Sequence, residues 1–86
     1  MKVGYSRGFK KQYRKLPRSV REKFNARAAL FFGNQRAPQL NIHKLHGKFS
    51  DLYSMNITGD IRAVFEQVNV DTVEFIAIGT HGALYS

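Results

Sequence analysis

The sequence contains no cysteine, so it offers neither a disulfide framework nor a thiolate metal site. Long apolar runs are also missing. The longest, residues 28–32, is far shorter than the roughly 18 apolar residues of a membrane-spanning helix. The N-terminus lacks the apolar segment of a signal peptide. We therefore expect a cytoplasmic protein that has no membrane partner and depends on apolar packing for its stability.

The chain is short, and its 86 residues predict a single domain covering residues 1–86. Seven Phe and four Tyr supply large apolar side chains for a core of this size. Each such side chain contributes about 1.5–3 kcal/mol when it is well buried.

Acidic residues are scarce in the first half of the sequence. Residues 1–48 hold 13 of the 14 Lys and Arg and a single acid, Glu22, for a net charge of +12. Residues 49–86 hold one cation, Arg62, and five acids, for a net charge of −4. This segregation favours a polyanionic partner, because Lys and Arg that contact phosphates release counterions and speed encounter. An acidic protein partner and a merely solvated basic face stay open.

The first half of the chain predicts one strand and two helices. Apolar residues alternate within residues 1–5, as in a strand, and Ser6 is placed to cap the first helix. Residues 7–16 have helical spacing, and Pro17 ends that helix. A second amphipathic helix is expected from about residue 17 to residue 32. Its apolar stripe would consist of Val20, Phe24, Ala28, Leu30, Phe31 and Phe32.

The second half has the two-residue period of β-strands. Residues 35–47 predict a loop, followed by strands at 52–57, 61–67 and 72–79. The last strand is apolar on both faces towards its end, which predicts a position inside the sheet. We expect an α+β fold with one N-terminal strand, an antiparallel pair of helices and a three-stranded antiparallel meander forming one sheet. A short tail would come after the last strand.

Three side chains with useful chemistry fall near one edge of this sheet. Arg62 lies within a strand, and His81 and Tyr85 come after the end of the next strand. A guanidinium offers fixed donors to a phosphate, and an imidazole exchanges a proton near neutral pH. The set suits work on a phosphodiester. The alternative for Arg62 is an ion pair with a nearby carboxylate, from Asp60, Glu66 or Glu74.

His43 and His46 are three residues apart, a spacing that could suggest a pair of metal ligands. The sequence has no cysteine, and the nearest carboxylate after them is Asp51. We therefore expect no metal and no cofactor. A cationic loop that contacts a phosphate or a partner is the favoured interpretation.

Four segments together resemble the RelE/ParE superfamily of bacterial toxins, in particular YafQ-like and RelE-like members. Residues 79–85, Gly-Thr-His-Gly-Ala-Leu-Tyr, are similar to the family ending Gly-Thr/Ser-His-x-x-Leu-Phe/Tyr. Residues 43–47 resemble a His-x-Leu-x-Gly segment, and residues 56–65 resemble the Gly-Asp-Tyr-Arg strand of RelE relatives. Residues 9–17 are also typical. The similarity covers nearly the whole chain.

The resemblance implies a ribosome-dependent endoribonuclease that cuts translated mRNA, with a cognate antitoxin, the ribosome and mRNA as partners. In this interpretation His81 is a general acid or base, Arg62 stabilises charge on the phosphate, and Tyr85 stacks on or orients a base. His43 matches an upstream family histidine and Asp60 an acidic residue near the site. The remaining basic residues would contact RNA: Lys44, His46, Lys48, Lys10, Lys11, Arg14, Arg18 and Arg21. The free protein is expected to be a monomer.

The chain departs from the YafQ-like pattern at three positions. Asn56 stands where those members carry a histidine, Ser54 lies near a family aspartate, and Ala77 lies near a family arginine. These departures imply slow or altered cleavage. Two alternatives stay open: an inhibitor of DNA gyrase resembling ParE, and a basic RNA-binding module with a degenerate active site.

Overall fold

The computed structural model describes residues 1–47 and 51–85. Two short stretches of the sequence, residues 48–50 and residue 86, therefore lie outside the description, and the predicted RNA contact Lys48 is among them. The elements come in the order strand β1 (Lys2–Tyr5), helices α1 (Arg7–Arg14) and α2 (Arg18–Gly33), a 3₁₀ helix (Pro38–Leu40), strands β2 (His43–Lys44), β3 (Leu52–Asn56), β4 (Ile61–Asn69) and β5 (Thr72–Thr80), and helix α3 (His81–Tyr85).

The strands in the described part of the chain form one five-stranded mixed sheet, in the order β1-β5-β4-β3-β2. β1 pairs with β5 in parallel, and the other pairs are antiparallel. The predicted α+β class and the antiparallel β3-β4-β5 meander are confirmed. The predicted strand count was wrong, because β2 lies within the segment expected to be a loop. Two residues are too few to show a two-residue period.

β5 lies between β1 and β4, as its apolar character on both faces predicted. Beyond the end of β1, the backbone of β5 forms hydrogen bonds with two side chains, one from the residue that caps α1 and one from α1 itself. The Ser6 hydroxyl caps α1 by accepting a hydrogen bond from the backbone N–H of Phe9 (3.0 Å), and it donates to the carbonyl of Ile76 (2.8 Å). The side-chain oxygen of Gln12 accepts from the backbone N–H of Ile78 (3.0 Å). α1 is thereby tied to the strand that leads to His81.

The core is an aromatic cluster between the helices and one face of the sheet. The ring centroids of Phe24 and Phe75 are 5.2 Å apart, and those of Phe31 and Phe65 are 5.1 Å apart. Phe9 lies 5.7 Å from Phe75. These contacts place α1 and α2 on the same face of β4 and β5. Among the described residues, every helix is too short or too polar to span a bilayer.

One predicted core residue is not in the core. Phe32 is 41% exposed, whereas its neighbour Phe31 is 1% exposed. The apolar stripe of α2 follows the helical repeat through Phe24, Ala28 and Phe31, and Phe32 lies about 100° away from Phe31 around the axis. The prediction that Phe32 widens the stripe was therefore wrong.

The second face of the sheet carries the side chains that alternate with the core residues. Met55 and Ala63 belong to the core cluster, so Ser54 and Arg62 point to the opposite face. In the pairing of β3, β4 and β5, Arg62 stands between Asn56 and Gly79. The predicted orientation of Arg62, away from Ala63, is confirmed.

Candidate functional site

A cleft of about 260 Å³ opens on this second face, away from the packed face of α1 and α2. We call it the histidine cleft, because all three histidines of the protein line it. Its lining residues are His43, Leu45, His46, Ser54, Arg62, His81 and Tyr85. They come from β2 and the residues after it, from β3, from β4 and from α3, so only the assembled sheet brings them together.

The guanidinium of Arg62 is held by the turn between β3 and β4. Its Nη1 donates to the carbonyl oxygens of Thr58 (2.8 Å), Gly59 (3.1 Å) and Ile61 (3.3 Å). Arg62 forms no ion pair with the described residues, among which Arg18–Glu22 is the one salt bridge. The alternative of a structural ion pair is therefore wrong for the carboxylates of Asp60, Glu66 and Glu74. Nε and Nη2 donate no hydrogen bond to the described residues, and the Arg62 side chain is part of the cleft wall.

α3 supplies His81 and Tyr85. The expected tail is a short helix because the Thr80 hydroxyl accepts a hydrogen bond from the backbone N–H of Ala83 (3.1 Å) and caps its first turn. Leu84 lies over Gly79, where an added Cβ would be 3.6 Å from the Leu84 side chain. His81 and Tyr85 are one helical turn apart, and their rings meet edge to face with centroids 4.6 Å apart. The His81 side chain is exposed, and Tyr85 is half-buried.

His43 enters the cleft from β2, opposite Ser54 of β3. Its Nδ1 lies 3.1 Å from the carbonyl oxygen of Asn41, a residue with a left-handed backbone (φ 46°). A carbonyl only accepts, so this contact requires the proton on Nδ1. In the neutral ring the lone pair is then on Nε2, where it can accept a proton. The pairing of β2 with β3 and the contact with Asn41 thus set the position and the tautomer of His43.

The structure separates the predicted site residues into two groups. His81, Arg62, Tyr85, His43 and His46 line the histidine cleft. Asp60 does not line it; this residue is exposed in the β3–β4 turn.

The predicted RNA contacts divide in the same way. Lys44 is exposed on β2, next to the cleft. Five further predicted contacts are on the helices that pack against the opposite face of the sheet: Lys10, Lys11, Arg14, Arg18 and Arg21. Two of these, Lys11 and Arg14, lie together with Arg7 and Lys15 on what we call the basic face of α1.

Two cleft residues were missed as site residues by the sequence reasoning. Ser54 is 1% exposed and is the one buried polar residue of the described chain. Leu45 supplies an apolar part of the wall. The two-residue alternation of β3 already placed Ser54 on the face opposite Met55, and that signal could have drawn attention to it. The resemblance places a family aspartate near Ser54, and this chain has an uncharged hydroxyl there.

In the part of the chain that the structure describes, no three His, Cys, Asp or Glu side chains are close enough together to hold a metal ion. The three histidines therefore share a cleft without forming a metal-binding cluster. The arrangement offers a guanidinium, imidazoles and a phenol, a set suited to binding a phosphate and moving protons around it.

Comparison with known proteins gives a clear result for structure and none for sequence. No protein-family model matches the chain, and no curated protein matches it significantly. YafQ from Escherichia coli superposes with a TM-score of 0.83 at 17% identity, covering 98% of this chain and 97% of YafQ. The chain has the fold of YafQ.

Two further solved structures share this fold. A YoeB/ParE toxin from Agrobacterium tumefaciens has a TM-score of 0.79 at 20% identity, over 94% of this chain and 99% of that toxin. A chain of the RelB–RelE antitoxin–toxin complex from Methanococcus jannaschii has a TM-score of 0.77 at 20% identity, over 98% and 96% of the two chains. The expected similarity to YafQ, RelE and ParE-type toxins is thus present at the level of structure.

Proposed function

We propose that this protein is the toxin of a type II toxin–antitoxin pair and that it cuts translated mRNA on the ribosome. The observation that carries the proposal is the histidine cleft: His43, His81, Tyr85 and Arg62 meet there from β2, α3 and β4. The fold shared with YafQ, RelE and YoeB/ParE toxins is consistent with this proposal but does not single out RNA cleavage, which is supported by the side chains of the cleft.

The proposed reaction is transesterification within the RNA. The ribose 2′-oxygen attacks the adjacent phosphorus and loses its proton to one imidazole, while the bond from phosphorus to the 5′-oxygen breaks. The leaving 5′-oxygen takes a proton from the other imidazole, so the products are a 2′,3′-cyclic phosphate and a 5′-hydroxyl. The Nε2 lone pair of His43 fits the role of base, and His81 fits the role of acid.

Arg62 and Tyr85 complete the proposed site. The negative charge on the phosphate oxygens grows in the transition state, and the held guanidinium of Arg62 presents Nε and Nη2 to it. The Tyr85 ring, whose centroid lies 4.6 Å from that of His81, offers a surface for a base next to the scissile bond. Asn56 and Ala77 add no acid–base group to this face, which is consistent with slower cleavage than a fuller set would give.

A second surface fits the proposed antitoxin. An apolar groove of about 440 Å³ lies between α1, α2 and β1, lined by Tyr5, Phe9, Lys10, Tyr13, Arg14, Phe24 and Asn25. Its floor is aromatic, and Lys10 and Arg14 stand at its rim. An acidic amphipathic segment of the antitoxin complements this combination, with apolar side chains in the groove and carboxylates on the rim.

The nuclease proposal is tested by inducing the protein in cells and mapping breaks in a reporter mRNA by primer extension. We expect cuts that need translation, that are absent from a non-translatable reporter, and that vanish with His81→Ala and Arg62→Ala. Growth arrest with intact mRNA would instead indicate that the protein inhibits DNA gyrase or another target. Absence of both arrest and cleavage would reject the toxin.

The antitoxin surface is tested with the purified cognate antitoxin, identified by its ability to relieve growth arrest by this protein. Lys10→Glu with Arg14→Glu should weaken the complex, because two attractive charges at the rim become repulsive. Lys23→Glu, a change on the exposed surface of α2, is the matched control. Equal affinity of both variants for the partner would place the antitoxin elsewhere.

A further inference from the structure

The turn between β3 and β4 is organised by one hydroxyl. Thr58 Oγ1 accepts hydrogen bonds from the backbone N–H groups of Asp60 (3.2 Å) and Ile61 (2.9 Å). The backbone N–H groups of Ile57 (2.9 Å) and Thr58 (3.2 Å) both donate to the carbonyl oxygen of Ile61. These four bonds close the turn from residue 57 to residue 61.

The same turn holds Arg62 by its carbonyl oxygens. Nη1 of Arg62 donates to Thr58 at 2.8 Å and to Gly59 at 3.1 Å, and both acceptors belong to the segment that the Thr58 hydroxyl closes. An arginine side chain has several rotatable bonds, and keeping it in one conformation is costly in entropy. Bonds from Nη1 to a closed turn supply this restraint and leave the other donors for a ligand.

We infer that Thr58 is a positioning residue for Arg62. Its hydroxyl fixes the turn, and the turn carbonyls fix Nη1. Nε and Nη2 then remain as donors on a side chain that lines the histidine cleft. Thr58 does not line the cleft, so its effect on a bound phosphate passes through Arg62. The catalytic consequence rests on the proposed nuclease function, whereas the restraint on the guanidinium does not depend on it.

Asp60, which the resemblance placed near the site as an acidic residue, belongs to this turn and does not line the cleft. The backbone N–H of Asp60 binds the Thr58 hydroxyl, and its side chain is exposed. Residues 58–60 thus act on the cleft by their backbone groups and one hydroxyl. Only Thr or Ser supplies a short hydroxyl acceptor of this kind without a charge.

The first test uses the unmodified protein and needs no activity. NMR of the guanidinium groups should show hindered rotation and slow exchange for Arg62 and rapid averaging for Arg7, an exposed arginine without a hydrogen bond to the described residues. Thr58→Val should make the Arg62 signals resemble those of Arg7, and Thr58→Ser should preserve them. Rapid averaging of Arg62 in the unmodified protein would overturn the inference.

The second test measures single-turnover cleavage of mRNA on programmed ribosomes. Thr58→Val should lower the rate at saturating protein by about 10- to 100-fold, the cost of a misplaced catalytic group. The concentration for half-saturation should change little, and Thr58→Ser should restore the rate. Thr72→Val is the matched control, because the Thr72 hydroxyl makes no hydrogen bond with the described residues and lies outside the cleft.

The two tests separate the two proposals. If the unmodified protein does not cleave RNA, the nuclease function fails while the NMR comparison still decides the restraint. If Thr58→Val does not fold, as judged by circular dichroism, the unmodified protein still decides whether Arg62 is restrained, and Thr58→Ala takes the place of Thr58→Val as the variant without the hydroxyl. A Thr58→Val protein with full cleavage and unchanged Arg62 signals would reject Thr58 as a positioning residue.

Discussion

The ring of His81 meets the ring of Tyr85 edge to face, with centroids 4.6 Å apart and planes at 68°. Both residues are on α3, one turn apart, and both line the histidine cleft. The aromatic ring limits the orientations of an otherwise exposed imidazole. α3 therefore both supplies the two side chains to the cleft and holds the His81 imidazole against the Tyr85 ring.

Replacing His81 with Ala should abolish most of the cleavage without unfolding the protein. A positioned acid–base group contributes about 10²- to 10⁴-fold to a rate, and the exposed His81 side chain contributes little to the core. The rate on programmed ribosomes and the thermal midpoint should be measured together. A large drop in the midpoint would show that the loss of cleavage comes from unfolding.

Tyr85→Phe and Tyr85→Ala should differ in their effect on cleavage. Phenylalanine keeps the ring against His81, whereas alanine removes it. An edge-to-face contact contributes about 0.5–1.5 kcal/mol, so the alanine variant should be slower than the phenylalanine variant by roughly 2- to 10-fold. Equal rates would mean that the ring does not orient His81.

Neighbouring phenylalanines of α2 should respond very differently to truncation. Phe31→Ala removes a ring that is 1% exposed, and we expect a loss of about 3–5 kcal/mol in the free energy of unfolding. Phe32→Ala removes a ring that is 41% exposed and lies 5.9 Å from the Phe31 ring, and a smaller loss of about 1 kcal/mol is expected. Urea unfolding of both variants measures the difference, and similar losses would contradict the burial of Phe31.

Stability should fall at alkaline pH through Tyr5. Burial, with a smaller contribution from the nearby Tyr13, raises the pKa of the Tyr5 phenol above its ordinary value. The unfolded chain therefore loses this proton first, so the stabilisation is present below about pH 10 and is lost as the pH rises further. Tyr5→Phe should show a smaller alkaline loss of stability. Thermal midpoints from pH 8 to pH 11 test this, and identical pH profiles would refute it.

RNA affinity should depend on the basic face of α1. Lys11 and Arg14 are exposed, and no carboxylate of the described chain pairs with them. Lys11→Gln with Arg14→Gln should weaken RNA binding. The plot of log K against log salt has a negative slope, and each lost phosphate contact should reduce the steepness of that slope by about 0.7 for single-stranded RNA. Fluorescence anisotropy over a salt series measures both effects. An unchanged slope would exclude these residues as phosphate contacts.

The periodic elements were predictable because their signals are local. The helical repeat in α2 and the alternation in β3 and β4 depend on which residues are apolar, and they correctly turned Arg62 away from the core. β2 and α3 were not predictable from such patterns. β2 exists through its pairing with β3, and α3 depends on the Thr80 cap and on Leu84 over Gly79.

The candidate site was predictable in part for the same reason. The sequence places His81 and Tyr85 just after a strand, and it places Arg62 in the strand before. The residue pattern alone does not bring His43 to them, since this depends on β2 pairing across β3, and His43 was expected there only from the family resemblance. Nor does it show that the Thr58 hydroxyl and carbonyl organise the turn that holds Arg62, because hydrogen-bond geometry is not visible in residue types.

The amino-acid sequence by itself determined the charge segregation, the aromatic core, the two main helices and the antiparallel meander, since each depends on composition or on a short repeat. Only the tertiary structure decided which cations share a cleft and which lie on the far side of the sheet. It separated Lys11 and Arg14 from His43 and Arg62, because a sheet divides neighbouring side chains between two faces while pairing joins residues that are distant along the chain.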